Sequence, residues 1–296
     1  MILCCGEALI DMLPRETTRG ESAFAPYSGG AVFNTAIALG RLGAPVEFFT
    51  GLSSDLFGDM LRRTLAESSV GTRYSPLADR PTTLAFVKLT NGQAKYVFYD
   101  ENTAGRMLSE SDLPALGDDV SAMLFGAISL IPEPCGSAYE ALMRREHATR
   151  VTMLDPNIRP NFIPNAAAHR ARMMRMVAMA DIVKLSDEDL AWFGESGDAS
   201  EIARRWLDLG PKLILVTRGG EGATGYSATA TVKVPARRVE VVDTVGAGDT
   251  FNAGVLAALD GRGLLTKGAI ARLAETDIRA ALDLGVRAAA VTVTRA

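Results

Sequence analysis

Asp243-Thr244-Val245-Gly246-Ala247-Gly248-Asp249-Thr250-Phe251 is the stretch on which the reading of this chain turns. The β-branched run Val239-Glu240-Val241-Val242 before it reads as a strand, and Phe251–Leu259 after it reads as a buried helix. A turn of small residues therefore opens a helix that carries a carboxylate in its first turn. The first N–H groups of a helix have no intrahelical partner, and the helix dipole adds partial positive charge there. Gly246, Ala247 and Gly248 carry almost no side chain, so an anion can approach those N–H groups closely. Asp249 then stands beside the anion, placed to take a proton from an attacking hydroxyl. An anion nest next to a base is what phosphoryl transfer to an alcohol requires. Simple capping would also account for an Asp near a helix start, so the motif gains its weight from the rest of the chain.

With 296 residues, 48% of them hydrophobic and 22% charged, the chain can build one large core, alone or with a small appendage. A net charge of −4 gives no basis for nucleic acid or an anionic membrane surface as a partner. Cys4, Cys5 and Cys135 cannot form a disulfide framework, and with His147 and His169 they show no metal-ligand spacing. A reducing cytoplasm is the expected setting. Met1 runs straight into a strand-like segment without a leader pattern. No apolar stretch approaches the ~18 residues needed to span a bilayer.

Strand-like and helix-like runs alternate for most of the length, without repeats or low-complexity tracts. The strand candidates are Ile2–Cys5, Val46–Thr50, Met123–Gly126, Val151–Asp155, Ile182–Lys184, Leu213–Thr217 and Ala289–Thr294. Helix candidates include Asn34–Leu42, Asp59–Ser68, Ala138–Arg145, Ala166–Met179, Asp187–Phe193, Glu201–Leu209, Thr250–Leu259 and Asp277–Ala288. This alternation predicts an α/β fold, a doubly wound and mostly parallel sheet with helices on both faces, in a single domain over 1–296. Ala8–Tyr27 and Thr82–Tyr99 break the pattern with period-2 polarity, and Asn91-Gly92 is a hairpin signal. Both stretches fit one small sheet, inserted at about 11–28 and 80–104, that would exclude water as a lid.

Other polar groups recur at the ends of apolar runs. Ser28-Gly29-Gly30-Ala31-Val32-Phe33-Asn34 is a second Gly pair entering a helix, and Asn34 offers both donor and acceptor to a polyol. Asp11, just beyond an apolar strand, can grip two hydroxyls with its two oxygens. Asp155-Pro156-Asn157-Ile158-Arg159 follows a buried strand, and Arg159 keeps its charge under all conditions. Parallel sheets bind ligands beyond the carboxyl ends of their strands, so this turn faces the expected site. Lys184-Leu185-Ser186-Asp187-Glu188-Asp189 opens a helix with acids, which the dipole alone favours. Val216-Thr217-Arg218-Gly219-Gly220-Glu221-Gly222 is a further strand end followed by glycines.

The run from Asp243 to Gly254 resembles the C-terminal motif D-T-x-G-A-G-D-x-F-x-x-G of the ribokinase-like (PfkB) carbohydrate kinases. The stretch around Gly29 and Asn34 is similar to the family's G-G-A-P-x-N-x-A, with Val32 where Pro or a small residue is usual. The resemblance runs through nearly the whole chain in the family order. It implies that Asp249 is the catalytic base, that the Gly246, Ala247 and Gly248 amides form an anion hole, and that Arg159 lies near the phosphate or the substrate. It assigns Asp11, Gly29, Gly30, Asn34, Tyr99, Asn157 and Asp249 to the sugar. Lys184, Thr217, Gly219, Gly222 and Gly248 fall to the nucleotide. The family's K-x-N-x-x-E has Ser186 and Asp189 in place of its Asn and Glu, so Asp189 is a metal contact only through water. ATP and Mg²⁺ are the implied cofactors. A monovalent-cation site is left open, because the family's Gly-containing tail has no counterpart before Ala296.

The string Phe98-Tyr99-Asp100-Glu101-Asn102-Thr103-Ala104 aligns with a lid stretch that supplies an Arg to the acid group in 2-keto-3-deoxygluconate kinases. Asp100, next to Glu101, stands there instead, and two acids disfavour an acidic sugar. The lid stretches hold no cationic cluster for a phosphorylated acceptor, while Phe24, Tyr27, Phe98 and Tyr99 leave a nucleoside open. The G-E-x-x-I-D start, D-P-N-x-R and Asn102-Thr103-Ala104 are most similar to fructokinases. The expected reaction is phosphorylation of D-fructose to fructose 6-phosphate, with 2-keto-3-deoxygluconate and ribose as alternatives. A non-catalytic sensor on the same fold is the alternative of a different class, although such a chain would be expected to lose the base or the anion hole. A Rossmann dehydrogenase is disfavoured, because no G-x-G-x-x-G follows the first strand. An apolar lid face would be covered by pairing in a homodimer.

Overall fold

A computed structural model describes residues 1–90 and 93–295. In chain order its strands are β1 (Ile2–Cys5), β2 (Leu9–Glu16), β3 (Ser22–Gly29), β4 (Val46–Phe49), β5 (Leu52–Ser53), β6 (Val70–Gly71), β7 (Leu77–Ala78) and β8 (Leu84–Thr90). They continue as β9 (Gln93–Tyr99), β10 (Ala122–Gly126), β11 (Val151–Asp155), β12 (Ile182–Ser186), β13 (Leu213–Thr217), β14 (Ala223–Tyr226) and β15 (Thr231–Val234). The helices are α1 (Ala31–Arg41), α2 (Leu56–Glu67), α3 (Cys135–Glu146), α4 (Ala166–Met179), α5 (Asp187–Phe193), α6 (Ala199–Leu207), α7 (Ala247–Gly261), α8 (Lys267–Ile270) and α9 (Glu275–Thr292).

The central sheet runs β15-β14-β13-β12-β11-β10-β1-β4-β6. From β13 to β6 every pairing is parallel, while β14 and β15 add an antiparallel edge. Parallel strands covered on both faces read as continuous apolar runs, and β1, β10 and β11 are buried at every position. Two hydrophobic clusters flank the sheet. One packs α1, α2, α7 and α9 against it, and the other packs α3, α4, α5 and α6. The crevice at the carboxyl ends of β1, β11, β12 and β13 is where loops from both halves meet, as expected of a doubly wound sheet.

The two irregular stretches do pair, in a separate sheet ordered β3-β2-β8-β9. The Asn91-Gly92 hairpin signal lies outside the described residues.

Two strand expectations fail. Ala289–Thr294 is not a strand; α9 continues through Thr292. Helical spacing puts Val286, Ala289, Ala290 and Val293 on one side, where they line a cavity of about 1000 Å³. Gly254 and Gly285 let α7 and α9 pack backbone to backbone, which fixes α9 there: a Cβ on Gly254 would lie 2.6 Å from Gly285 Cα. Val239–Val242 has no strand partner either; Val241 and Val242 are exposed, and Val242 donates its N–H to Val293 O at 2.8 Å. Val239, Val241, Ala289, Ala290 and Val293 wall a cavity, a use of apolar residues that local sequence cannot separate from a strand.

Candidate active site

Gly246 is the N-cap of α7, with φ 77°, and no side chain caps the helix. Asp249 follows in the first turn and is buried. Its Oδ2 accepts a hydrogen bond from Asn34 Nδ2 at 2.9 Å, and its backbone O accepts one from Thr35 Oγ1 at 3.0 Å. Helix α1 thus grips the first turn of α7 from the side. Burial pushes the Asp249 carboxyl up to about 7; the Asn34 hydrogen bond opposes this, the Asp155 charge adds to it, and Lys184 opposes it. A carboxyl poised there is suited to proton transfer near neutral pH.

A cavity of about 1000 Å³ opens in front of this turn. It gathers Asp11, Gly30, Asn34, Asn157, Arg159, Lys184, Asp189, Thr217, Gly219, Gly222, Gly246, Ala247, Gly248 and Asp249. Asp11 sits on β2, and burial pushes its carboxyl up to about 6. Gly29 lies outside the cavity lining, and a side chain there would collide with the Asp11 carboxylate. Gly30, at φ 112°, has no room for a Cβ against Glu7 O, 2.8 Å away. Arg159 is exposed and lines the cavity, while Asn157 takes a left-handed φ of 42°.

Lys184 on β12 is buried, with its Nζ 3.3 Å from Asp155 Oδ2. Burial works against its charge, but the carboxylates of Asp155 and Asp189 raise its pKa and keep the ammonium. Asp189 is buried in α5 with both oxygens engaged: Oδ1 accepts from Ile158 N and Oδ2 from Ser186 N, each at 2.7 Å. That carboxylate holds the turn after β11 against the start of α5. Among the described residues no group of three or more His, Cys, Asp or Glu is arranged to hold a metal. Beyond β13, Gly219 and Gly220 leave open space where a Cβ would stand. Val239, Val241, Ala289, Ala290 and Val293 give the far end of the cavity an apolar wall.

Tyr99 does not join the site. Strand alternation sends Phe98 into the cavity and Tyr99 outward, where it is exposed and meets the Phe86 ring at 5.4 Å. Phe98 instead meets Phe162, which lies just beyond Arg159, at 4.7 Å between ring centroids. Asp100 and Glu101 are also placed differently from each other. Asp100 lines a second cavity of about 330 Å³ and pairs with Arg106 at 2.9 Å, while Glu101 is exposed and lines neither cavity.

Four lining or supporting groups carried no role in the sequence reading: Glu7, Asn252, Arg237 and Arg238. Glu7 was visible in the string Gly6-Glu7-Ala8, but its use depends on distant partners. Its Oε1 accepts from Ala31 N at 2.8 Å and Val32 N at 3.4 Å, and its Oε2 from Ser129 N at 3.3 Å. Burial pushes this carboxyl up to about 7, and those amides pull it back.

The fold and this cavity define a phosphotransferase with an alcohol acceptor. The chain matches the pfkB family of carbohydrate kinases over residues 1–296, and it belongs to that family. It is 62% identical over 281 residues to a protein named fructokinase from Rhizobium leguminosarum bv. trifolii, covering 94% of this chain and 86% of that one. The crystal structure of fructokinase with bound ATP from Xylella fastidiosa is similar at a TM-score of 0.88 and 31% identity, over 100% of this chain and 92% of that one. Aminoimidazole riboside kinase from Salmonella enterica, at 24% identity, shares the fold with a TM-score of 0.85, over 100% of this chain and 94% of that one.

Proposed function

We propose that this chain transfers the γ-phosphoryl group of ATP to a primary hydroxyl of a small neutral sugar, D-fructose, giving fructose 6-phosphate. The observation that carries the reading is the buried Asp249 carboxyl, held by Asn34 in the first turn of a helix that no side chain caps. The identity of 62% to a protein named fructokinase supports the acceptor. In this reading Asp11, Asn34, Asn157 and the backbone at Gly30 hold the sugar hydroxyls, while Gly29 leaves room for the Asp11 carboxylate. Asp249 accepts the proton of the attacking hydroxyl. The Gly246–Gly248 amides, Arg159 and Lys184 stabilise charge on the transferred oxygens. Thr217, Gly219 and Gly222 flank the nucleotide, and the wall of Val239, Val241 and Val293 faces its base. The uncapped helix start, the open glycines and the apolar wall fit that group. ATP supplies the phosphoryl group, with Mg²⁺ neutralising its phosphates. Asp189 bears on that ion only through water, since amides occupy both of its oxygens. A potassium titration of kcat tests for a monovalent-cation site.

In the same reading the four-stranded sheet is the lid of one kinase domain spanning 1–296, with its segments at about 11–28 and 80–104. Phe24, Tyr27, Val97 and Tyr99 are exposed on it, and pairing of two lids in a homodimer covers them. A monomeric mass by light scattering removes that part of the reading. The setting is cytoplasmic. No described helix is long and apolar enough to cross a membrane.

A coupled ADP-release assay with Mg-ATP over fructose, ribose, glucose and 2-keto-3-deoxygluconate tests the function. Fructose is expected to give the highest kcat/KM. Preference for another sugar reassigns the acceptor, and binding without turnover on any sugar gives the sensor instead.

A further inference from the structure

We infer that Asp155 is a positioning residue: it holds the Lys184 ammonium beneath the Gly246–Gly248 turn, facing the transferred phosphoryl group, an inference that rests on the kinase reading above. Asp155 closes β11 and is buried. Its Oδ2 accepts from Asn252 Nδ2 on α7 at 2.6 Å and lies 3.3 Å from Lys184 Nζ on β12. Its Oδ1 accepts from Asn157 N at 3.1 Å. One carboxylate therefore joins two strand ends, the turn after β11 and the helix that carries Asp249. The ammonium lies against the Gly turn itself: a methyl group on Gly248 would stand 3.2 Å from Lys184 Nζ. An ammonium has three donors. Among the described residues Asp155 is its one ion-pair partner, and Lys184 lines the large cavity, so donors remain for an anion there.

The alternatives to Asp155 explain why it is needed. The other carboxylates that act on Lys184 are Asp189 and Asp249. Amides occupy both oxygens of Asp189. Without Asp155 the ammonium would turn to Asp249, leaving the phosphoryl side and neutralising the base. Asp155 keeps the ammonium paired with itself rather than with the Asp249 carboxylate.

Asn252 supplies a second, independent observation. Its amide gives Nδ2 to Asp155, while its buried Oδ1 has no hydrogen-bond partner among the described residues. An amide that leaves its carbonyl unpaired to donate to a carboxylate is satisfying a negative charge, the stronger demand. Beside it is a cavity of about 10 Å³ that also touches Asp155 and Asp249. This is roughly the room that one water molecule needs.

Asp155→Asn removes the charge and keeps the volume, and Asn252 can turn its carbonyl to the new amide. Its melting temperature is expected to stay within a few degrees of the parent. kcat is expected to fall roughly 30-fold with the KM for fructose within about twofold, the pattern of an interaction made in the transition state. Because Asp155 acts through Lys184, the double variant Asp155→Asn/Lys184→Met is expected to be no slower than Lys184→Met alone. Calorimetry supplies a readout apart from turnover. ADP with aluminium fluoride, a stand-in for the transferred phosphoryl group, should bind Asp155→Asn about tenfold more weakly than the parent, while ADP alone binds both alike. If Asp155→Asn does not fold, Asp155→Ser, smaller and neutral, supplies the same comparison and must weaken the fluoride complex in the same way. Losses that multiply in the double variant, or an unchanged fluoride complex, overturn the proposal. A parent enzyme that phosphorylates no sugar overturns the kinase reading instead, and the calorimetric comparison still decides whether Asp155 acts through Lys184.

Discussion

Helices α1 and α7 begin alike and differ in what meets their first amides. Each has a glycine N-cap at positive φ, Gly30 at 112° and Gly246 at 77°, and in neither does the cap residue close its own helix with a side chain. At α1 the Glu7 carboxylate fills the place of an anion, accepting from the Ala31 and Val32 amides. At α7 no carboxylate caps the first turn: the Ala247 amide donates to Thr244 O at 3.3 Å, and Asp249 belongs to that turn and is held sideways by Asn34. A glycine-rich helix start is thus a site for an anion, and the surrounding fold decides whether the protein supplies that anion itself.

The largest expected effect removes the proposed base at α7. Asp249→Asn should lower kcat by about 10³-fold or more while the KM for ATP stays within a few-fold, checked by steady-state kinetics. Near-normal turnover would leave α7 no more functional than α1. The next effect concerns the protonation of that same group. Asp249 must be ionised to accept a proton, and its carboxyl is pushed up to about 7, so kcat should fall about tenfold per unit as pH drops below that value. A flat profile from pH 8 to 5.5 would detach the acid limb from Asp249.

At α1 the effect should be on stability more than on chemistry. Glu7→Ala leaves the Ala31 and Val32 amides without their acceptor and should cost about 1–3 kcal/mol, seen in thermal melts. Loss of kcat larger than loss of stability would make Glu7 a participant in the reaction. The smallest effect is a pH dependence of folding. Asp249 and Glu7 are pushed up to about 7 and Asp11 to about 6, all by burial, so these groups bind protons more tightly folded than unfolded. Their contribution to stability therefore grows as pH falls from about 7 toward 5. His169, held down to about 4 by burial, works the other way in that window, because the unfolded chain takes up its proton first. Asp155 is also pushed up by burial and acts in the same direction, so these carboxyls outweigh His169 and predict a higher melting temperature for the ligand-free protein at pH 5.5 than at 7.5. The reverse order would mean that the carboxylates at these two helix starts are not buried as described.

The parts of the site that were legible in the chain are those written within a few residues of one another. The Gly246–Asp249 turn, the Gly29–Asn34 entry and the glycines after Thr217 each announce themselves locally, and each borders or supports the cavity. The misread parts share a different feature. Tyr99 and Phe98 are neighbours, and only the pairing of β9 into the four-stranded sheet settles which one faces the cavity. Val239–Val242 and Ala289–Thr294 carry the apolar, β-branched composition of strands, but their apolar character serves a cavity wall. The pairing of Glu7 with Ser129 spans 122 residues, and that of Asp155 with Asn252 spans 97, so no local pattern could reveal either.

By itself the sequence determined the alternation that winds the sheet, the strands apolar enough for burial on both faces, and the two glycine turns that start helices. Those are short-range properties of backbone freedom and side-chain polarity. The tertiary structure alone decided which turn an internal carboxylate would fill and which would stay open. It also decided which carboxylates would be buried closely enough to hold their protons near pH 7. Desolvation and charge pairing act through space, between residues as far apart as Asn34 and Asp249, separated by 215 positions.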